Sequence, residues 1–168
     1  AHASNYKIDP EKIGVWGSSA GGHLVAMLGK TSDVNEFDKG PWLGYSSKVQ
    51  AVCDYYGPTD FLRMNDFKGA IDHDAADSPE SKLIGGPIQE NPEKVKKANP
   101  ITYVSRNDPP FLIVHGDRDR LVPVDQSRRL CEALREKGVE AEFHIVQDTG
   151  HSHFKGKEVN LKVLKFFE

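Results

Sequence analysis

The stretch "GVWGSSAGGHL", Gly14 to Leu24, sets two adjacent serines among glycines. Gly17 and Gly21 stand two residues on either side of Ser19, giving G-x-S-x-G, whereas Ser18 has Trp16 and Ala20 at those places. Ser19 is therefore the candidate nucleophile. A strand that turns directly into a helix holds its turn residue in strained backbone, and side chains two positions away are expected to collide, which is the reason for glycine there. A serine hydroxyl attacks poorly until a base takes its proton, and the base needs a carboxylate to fix its tautomer and stabilise its charge. Where the serine sits on such a turn of a parallel sheet, the expected chain order is Ser, then Asp or Glu, then His. "HGDRDRLVP" and "DTGHSHF" each follow a later apolar run and supply Asp119 and His151 in that order. Ala20 opens the helix after the serine, so its N–H is free to stabilise a developing oxyanion.

Other residues of chemical interest read as structural. "HSH" pairs His151 with His153, but no further Cys, His or carboxylate stands at recognisable ligand spacing, so no metal is expected. The cluster "DHDAAD", Asp72 to Asp77, reads as a solvated loop rather than a cation site. His23 and His115 read as packed, hydrogen-bonded histidines, and Cys53 and Asp54 as core and strand end. Tyr56, Pro58 and Asp60, in "YYGPTDF", stand where the border of a pocket would lie.

The elements that must position these residues follow from the apolar pattern. Four runs of strand length are bounded by Gly, Pro or Asp: "KIGVWG" (Lys12 to Gly17), "VQAVCDYYG" (Val49 to Gly57), "PFLIVHG" (Pro110 to Gly116) and "EAEFHIVQD" (Glu140 to Asp148). "VDQSRRLCEALREKG" lies between the last two and puts Leu130, Cys131 and Leu134 on one helical face, with Gly138 as its C-terminal stop. "AGGHLVAMLGK" has little polar interruption and reads as a helix buried on more than one side, and Glu158 to Phe167 as a final apolar helix. Strands alternating with helices predict an α/β fold with a parallel, doubly wound sheet. All parallel strands then end at one edge, and that edge is where Ser19, Asp119 and His151 fall and where ligands bind in such sheets. Residues 61–109 offer helices and no clear strand. So long an irregular stretch in a compact domain reads as a lid or binding loop.

Composition sets the outer bounds. The 168 residues suit one domain, residues 1–168, rather than two. A net charge of −3, with Lys and Arg spread along the chain, provides no footprint for nucleic acid. No apolar run approaches the roughly 20 residues of a membrane span. The opening "AHASNYKIDPEK" carries no signal-peptide pattern, and two cysteines, Cys53 and Cys131, fit buried thiols at least as well as a disulfide framework.

Taken together, "GVWGSSAGGHL", "YYGPTDF", "PPFLIVHGDRDRLVP" and "GHSHF" resemble the α/β-hydrolase superfamily, and within it the bacterial feruloyl and acetyl-xylan esterase-like group and its lipase and prolyl-oligopeptidase relatives. The resemblance covers essentially the whole chain, as the C-terminal part of such an enzyme. It implies Ser19 as nucleophile, Asp119 as acid and His151 as base. Asp117 is the rival acid, but the family pattern HG-x-x-D-x-x-VP falls on Asp119, followed by Val122 and Pro123, which leaves Asp117 to stabilise the loop. His153 departs from the family, which often has glycine two residues after the histidine.

The resemblance implies a serine carboxylic-ester hydrolase acting on small acyl or aromatic acyl esters, acetyl or feruloyl groups on plant polysaccharide among them, with no metal or organic cofactor. A peptidase of the prolyl-oligopeptidase type, or a non-catalytic remnant of the scaffold, are the alternatives. The family's glycine-rich loop that supplies a second oxyanion donor has no counterpart here, so the earlier strands are expected to be absent and the chain to be a truncated one. Loss of one such donor typically costs about 10²- to 10³-fold in rate. A parallel edge left open on Lys12 to Trp16 would favour a homodimer or pairing with a missing N-terminal segment.

Overall fold

The computed structural model describes residues 1–152, 154 and 156–168. Four strands, β1 (Gly14–Ser18), β2 (Ala51–Tyr55), β3 (Phe111–Gly116) and β4 (Ala141–Val146), form one sheet in the order β1-β2-β3-β4. Every pairing is parallel, with Trp16 opposite Cys53, Cys53 opposite Leu112 and Leu112 opposite Glu142. The strands are those expected, trimmed at one or both ends where outermost residues leave the ladder, except that β1 also runs one residue further, to Ser18, which pairs with Tyr55.

Helices cover both faces. A short α1 (Ala3–Tyr6) precedes β1, and α2 (Ala20–Lys30) joins β1 to β2. Residues 61–109 form α3 (Pro79–Ile84), α4 (Pro92–Ala98) and three 3₁₀ turns, with no strand among the described residues. α5 (Val124–Glu136) joins β3 to β4, and α6 (Lys157–Phe167) closes the chain. Alternation along the strands sends Val52, Phe111 and Ile113 to one face, where Ala26 of α2 and Leu130, Cys131 and Leu134 of α5 pack on them. Cys53, Leu112 and Val114 point to the other face, against Phe154 and Val159 and Val163 of α6. β3 is buried along its whole length, as expected of a strand with a neighbour on each side and helices on both faces.

Gly138 ends α5 as expected. It has φ 78°, and the Gly138 and Val139 N–H groups return to the carbonyls of Arg135 and Leu134. α2 departs from expectation, because only one side is buried: Ala26 is inaccessible, whereas Leu24 is 65% exposed and Leu28 39%. α6 behaves likewise, burying Val159 and Val163 and leaving Leu164 outside. The physical reason lies at the sheet edge. Among the described strands β1 pairs with β2 alone, and Trp16 is 57% exposed. The segment 61–109 gathers Phe61, Ile88 and Val95 into a small apolar cluster of its own.

Candidate active site

The turn between β1 and α2 places Ser19 at φ 55° and ψ −123°, outside the regions open to most side chains. The strain is held by backbone hydrogen bonds on both sides of the residue. Its N–H donates to the Tyr55 carbonyl at 2.8 Å, and its carbonyl accepts the first helical bond from the His23 N–H at 3.0 Å. A Cβ on Gly17 would lie 2.2 Å from the Gly21 carbonyl oxygen, so glycine is obligatory there. Gly21 is different: nothing stands within 4 Å of a Cβ built on it. The expected crowding is thus present on one side of the serine only.

His151 Nε2 is 2.9 Å from Ser19 Oγ, and His151 Nδ1 is 2.7 Å from Asp119 Oδ2. A carboxylate oxygen can only accept, so Nδ1 carries the proton and Nε2 is left to accept from the serine hydroxyl. The carboxyl of Asp119 is fully buried and His151 partly so. Gly116, at the end of β3, lets the two loops meet, since a Cβ there would lie 2.2 Å from the Thr149 carbonyl oxygen.

Asp119 is held from all sides. Its Oδ1 accepts the N–H groups of Leu121 and Val122 at 2.8 and 2.9 Å, and its Oδ2 faces His115 Nε2 at 3.2 Å as well as His151. Burial by itself would raise this carboxyl, but the hydrogen bonds from His115, His151, Val122 and Leu121 together hold it well below the usual carboxylate range. Three successive carbonyls of the same loop are also tied down: Arg120 by the Ala70 N–H, Leu121 by His73 Nε2 and Val122 by His115 Nε2. Asp117 lies apart from this arrangement, with its Oδ1 accepting the Thr149 N–H at 3.2 Å.

Ala20 is the first residue of α2, so its N–H has no partner within the helix. Tyr56 lies edge-on to His151 with ring centroids 4.5 Å apart. Thr59 and Asp60 are stitched to α5, where both their N–H groups donate to Gln126 Oε1. A cleft of about 250 Å³ beside the acid loop is bordered by Phe67, Lys68, Asp117, Asp119 and Arg128.

The remaining candidates find structural places. His23 is buried, with Nε2 donating to the Ala98 carbonyl at 2.8 Å, and burial pushes its pKa down. Cys53 and Cys131 are buried and unbridged, and burial raises both thiols. His73 corrects the reading of Asp72 to Asp77 as a solvated loop: it is buried and pairs through Nδ1 with Glu80 at 2.9 Å. His153 lies outside the described residues. Among the described residues no group of three or more His, Cys, Asp or Glu is arranged to hold a metal, and no helix is long and apolar enough to cross a membrane. Sequence reasoning missed His73 and the contact of His115 with Asp119. The one available signal for the latter was the spacing of four between them across the end of β3.

Comparison with known proteins agrees with this architecture. The chain is 35% identical over 136 residues to the probable carboxylic ester hydrolase LipM, and 36% identical over 135 residues to the esterase LipC, both of Mycobacterium tuberculosis. Those alignments take in 81% and 80% of this chain but 31% and 33% of the relatives, so the chain spans about a third of their length. The solved truncated form of a carbohydrate esterase from gut microbiota superposes with a TM-score of 0.86 at 35% identity, over 99% of this chain and 62% of that one. Residues 1–134 match the BD-FAE family. With its parallel sheet and strained serine turn, the chain belongs to the BD-FAE family of α/β-hydrolases.

Proposed function

We propose that the protein is a serine carboxylic-ester hydrolase working through an acyl-enzyme. The observation that carries this reading is the unbroken hydrogen-bonded chain from Ser19 Oγ through His151 to Asp119. In the first half-reaction His151 Nε2 takes the Ser19 proton as Oγ bonds to the ester carbonyl carbon, and the Ala20 N–H faces the oxyanion. The tetrahedral intermediate then collapses with breakage of the ester C–O bond, and His151 gives its proton to the leaving alcohol. Water repeats the sequence on the acyl-serine and releases the acid. Asp119 keeps the imidazole oriented and balances its charge, and the cycle calls on no metal or organic cofactor.

For substrate we propose small acyl or aromatic acyl esters, acetyl or feruloyl groups on polysaccharide included. The resemblance to feruloyl and acetyl-xylan esterase-like enzymes and the likeness to a carbohydrate esterase support this. Residues 61–109 act as a border of the binding site in this reading, supported by the cleft that Phe67 and Lys68 share with Asp119.

The test is the intact mass of the protein before and after a fluorophosphonate probe, with peptide mapping of the adduct. Labelling at Ser19 that is lost in Ser19→Ala is the expected result, followed by hydrolysis of acetyl and feruloyl esters. A protein that stays unlabelled at Ser19 would refute the reading in favour of a non-catalytic scaffold. Labelling with cleavage of peptide but not ester substrates would replace it by a peptidase.

A further inference from the structure

We infer that His115 is a positioning residue for Asp119: it grips the same carboxylate oxygen that Asp119 offers to His151, and so limits how strongly the acid draws on the base. The inference rests on the triad reading above and adds a residue to it. His115 is the penultimate residue of β3 and its ring is wholly buried. Its Nε2 faces two groups that can only accept, the Val122 carbonyl at 3.0 Å and Asp119 Oδ2 at 3.2 Å, so Nε2 carries the proton and shares it between them. Its Nδ1 lies 2.7 Å from Ser127 Oγ on α5, and in the neutral ring the serine hydroxyl donates there. A continuous line of hydrogen bonds therefore runs from Ser127 through His115, Asp119 and His151 to Ser19.

The consequence follows from counting lone pairs. Oδ1 receives two backbone N–H groups and Oδ2 two ring N–H groups, which uses the four acceptor positions of a carboxylate. Asp119 can neither rotate nor take up water, and its negative charge is divided among four donors. Without the donor on His115, more of the charge on Oδ2 would fall to His151, the His151 imidazolium would be stabilised further, and the base would be released at a higher pH. The other groups facing His115 are the Tyr56 ring, with centroids 6.0 Å apart, and the carboxyl of Asp54, whose charge also acts on it. Around His151 stand Ser19, Asp119 and Tyr56.

The experiment is an NMR titration of the His151 imidazole in the wild-type chain and in His115→Phe, His115→Gln and Ser127→Ala, alongside the pH profile of Ser19 phosphonylation. His115→Phe keeps ring bulk and loses the donor, and its His151 midpoint is expected to rise by about 0.5 to 1 pH unit, within the range neighbouring charges and hydrogen bonds exert. His115→Gln retains an N–H directed at the same oxygens and should shift less, and Ser127→Ala should give a small rise. If His115 merely props the loop, its loss loosens Asp119 from His151 and the midpoint falls or stays, which overturns the inference. Should His115→Phe fail to fold, His115→Gln and Ser127→Ala decide on the same sign. A wild-type protein never phosphonylated at Ser19 counts against the function proposed above, while the direction of the NMR shift still decides the role of His115.

Discussion

The ring of Tyr56 meets that of His151 edge to face, with centroids 4.5 Å apart, from a backbone bent to φ 44°. A non-glycine residue in this left-handed region is strained. The strain is held by the bond from the Tyr56 N–H to the Val114 carbonyl at 2.9 Å. The result is an aromatic wall packed against the histidine that bonds Ser19. Tyr56→Phe keeps the wall and should hold kcat within a few-fold. Tyr56→Ala removes it and should lower kcat by about 10- to 100-fold, the scale on which misplacing a catalytic group by an ångström acts. Steady-state rates on an aryl ester compare the two, and equal losses would show that the hydroxyl rather than the ring matters.

The two glycines around Ser19 should respond oppositely to alanine. In Gly17→Ala the new Cβ falls 2.2 Å from backbone oxygen, so the turn must shift, and loss of probe labelling together with a lowered Tm is expected. Gly21 lies in α2 with open space where its Cβ would sit, so Gly21→Ala should raise stability by about 0.5–1 kcal/mol through helix propensity alone. Chemical denaturation of both variants checks this. A destabilised Gly21→Ala would mean that something outside the described residues approaches that face.

The difference between those glycines marks where sequence reading reaches its limit. Ser19, Asp119 and His151 were legible because each stands just past a strand, and a parallel sheet brings all such positions to one edge. G-x-S-x-G treats Gly17 and Gly21 alike, yet the crowding depends on which way each Cα–Cβ bond would point, and periodicity does not record that. His115 read as a packed histidine, and it is one, but its partner is fixed by the loop beyond β3 rather than by the strand pattern. His73 escaped entirely, since its charged neighbours disguised a side chain buried through a contact seven residues away with Glu80. α2 read as buried on more than one side because its composition is apolar, whereas Leu24 is exposed and β1 has β2 as its one neighbour among the described strands.

The pair of His73 and Glu80 clamps the acid loop through the Leu121 carbonyl, and its contribution depends on pH. Burial works against the His73 cation, but the hydrogen bond and charge of Glu80, with the Leu121 carbonyl, raise its pKa on balance above the ordinary value. A raised histidine stabilises fully below the unfolded value of about 6.5, and the stabilisation is lost as pH rises through the folded value. Glu80→Gln should therefore cost about 2 kcal/mol at pH 5.5, the scale of a hydrogen bond to a charged group, and less at pH 9. Urea denaturation at both pH values is the check. A cost that does not shrink with pH would mean that the pair is held as neutral groups.

Asp54 shows the opposite sign. It is fully buried at the end of β2, with Oδ1 accepting the Gly57 N–H at 2.9 Å and Oδ2 without a partner among the described residues. Burial pushes its carboxyl up to about 6, against the opposing pull of the Gly57 N–H and of the Lys30 charge. Below about pH 4 the group is protonated in both states and contributes no pH dependence. Between there and about 6 the unfolded chain loses the proton first, so the folded state loses ground by about 3 kcal/mol, two pKa units at 1.36 kcal/mol each, and the penalty is constant above. Asp54→Asn removes the titration. Its amide can keep the bond to Gly57, but it puts an N–H donor where Oδ2 lacks a partner, an offset that does not change with pH. The informative quantity is therefore the slope: the stability of Asp54→Asn relative to wild type should climb between pH 4 and pH 6.5 and then level off. Parallel stability curves for the two proteins would show that Asp54 keeps an ordinary carboxyl, and that water or a neighbouring group satisfies Oδ2.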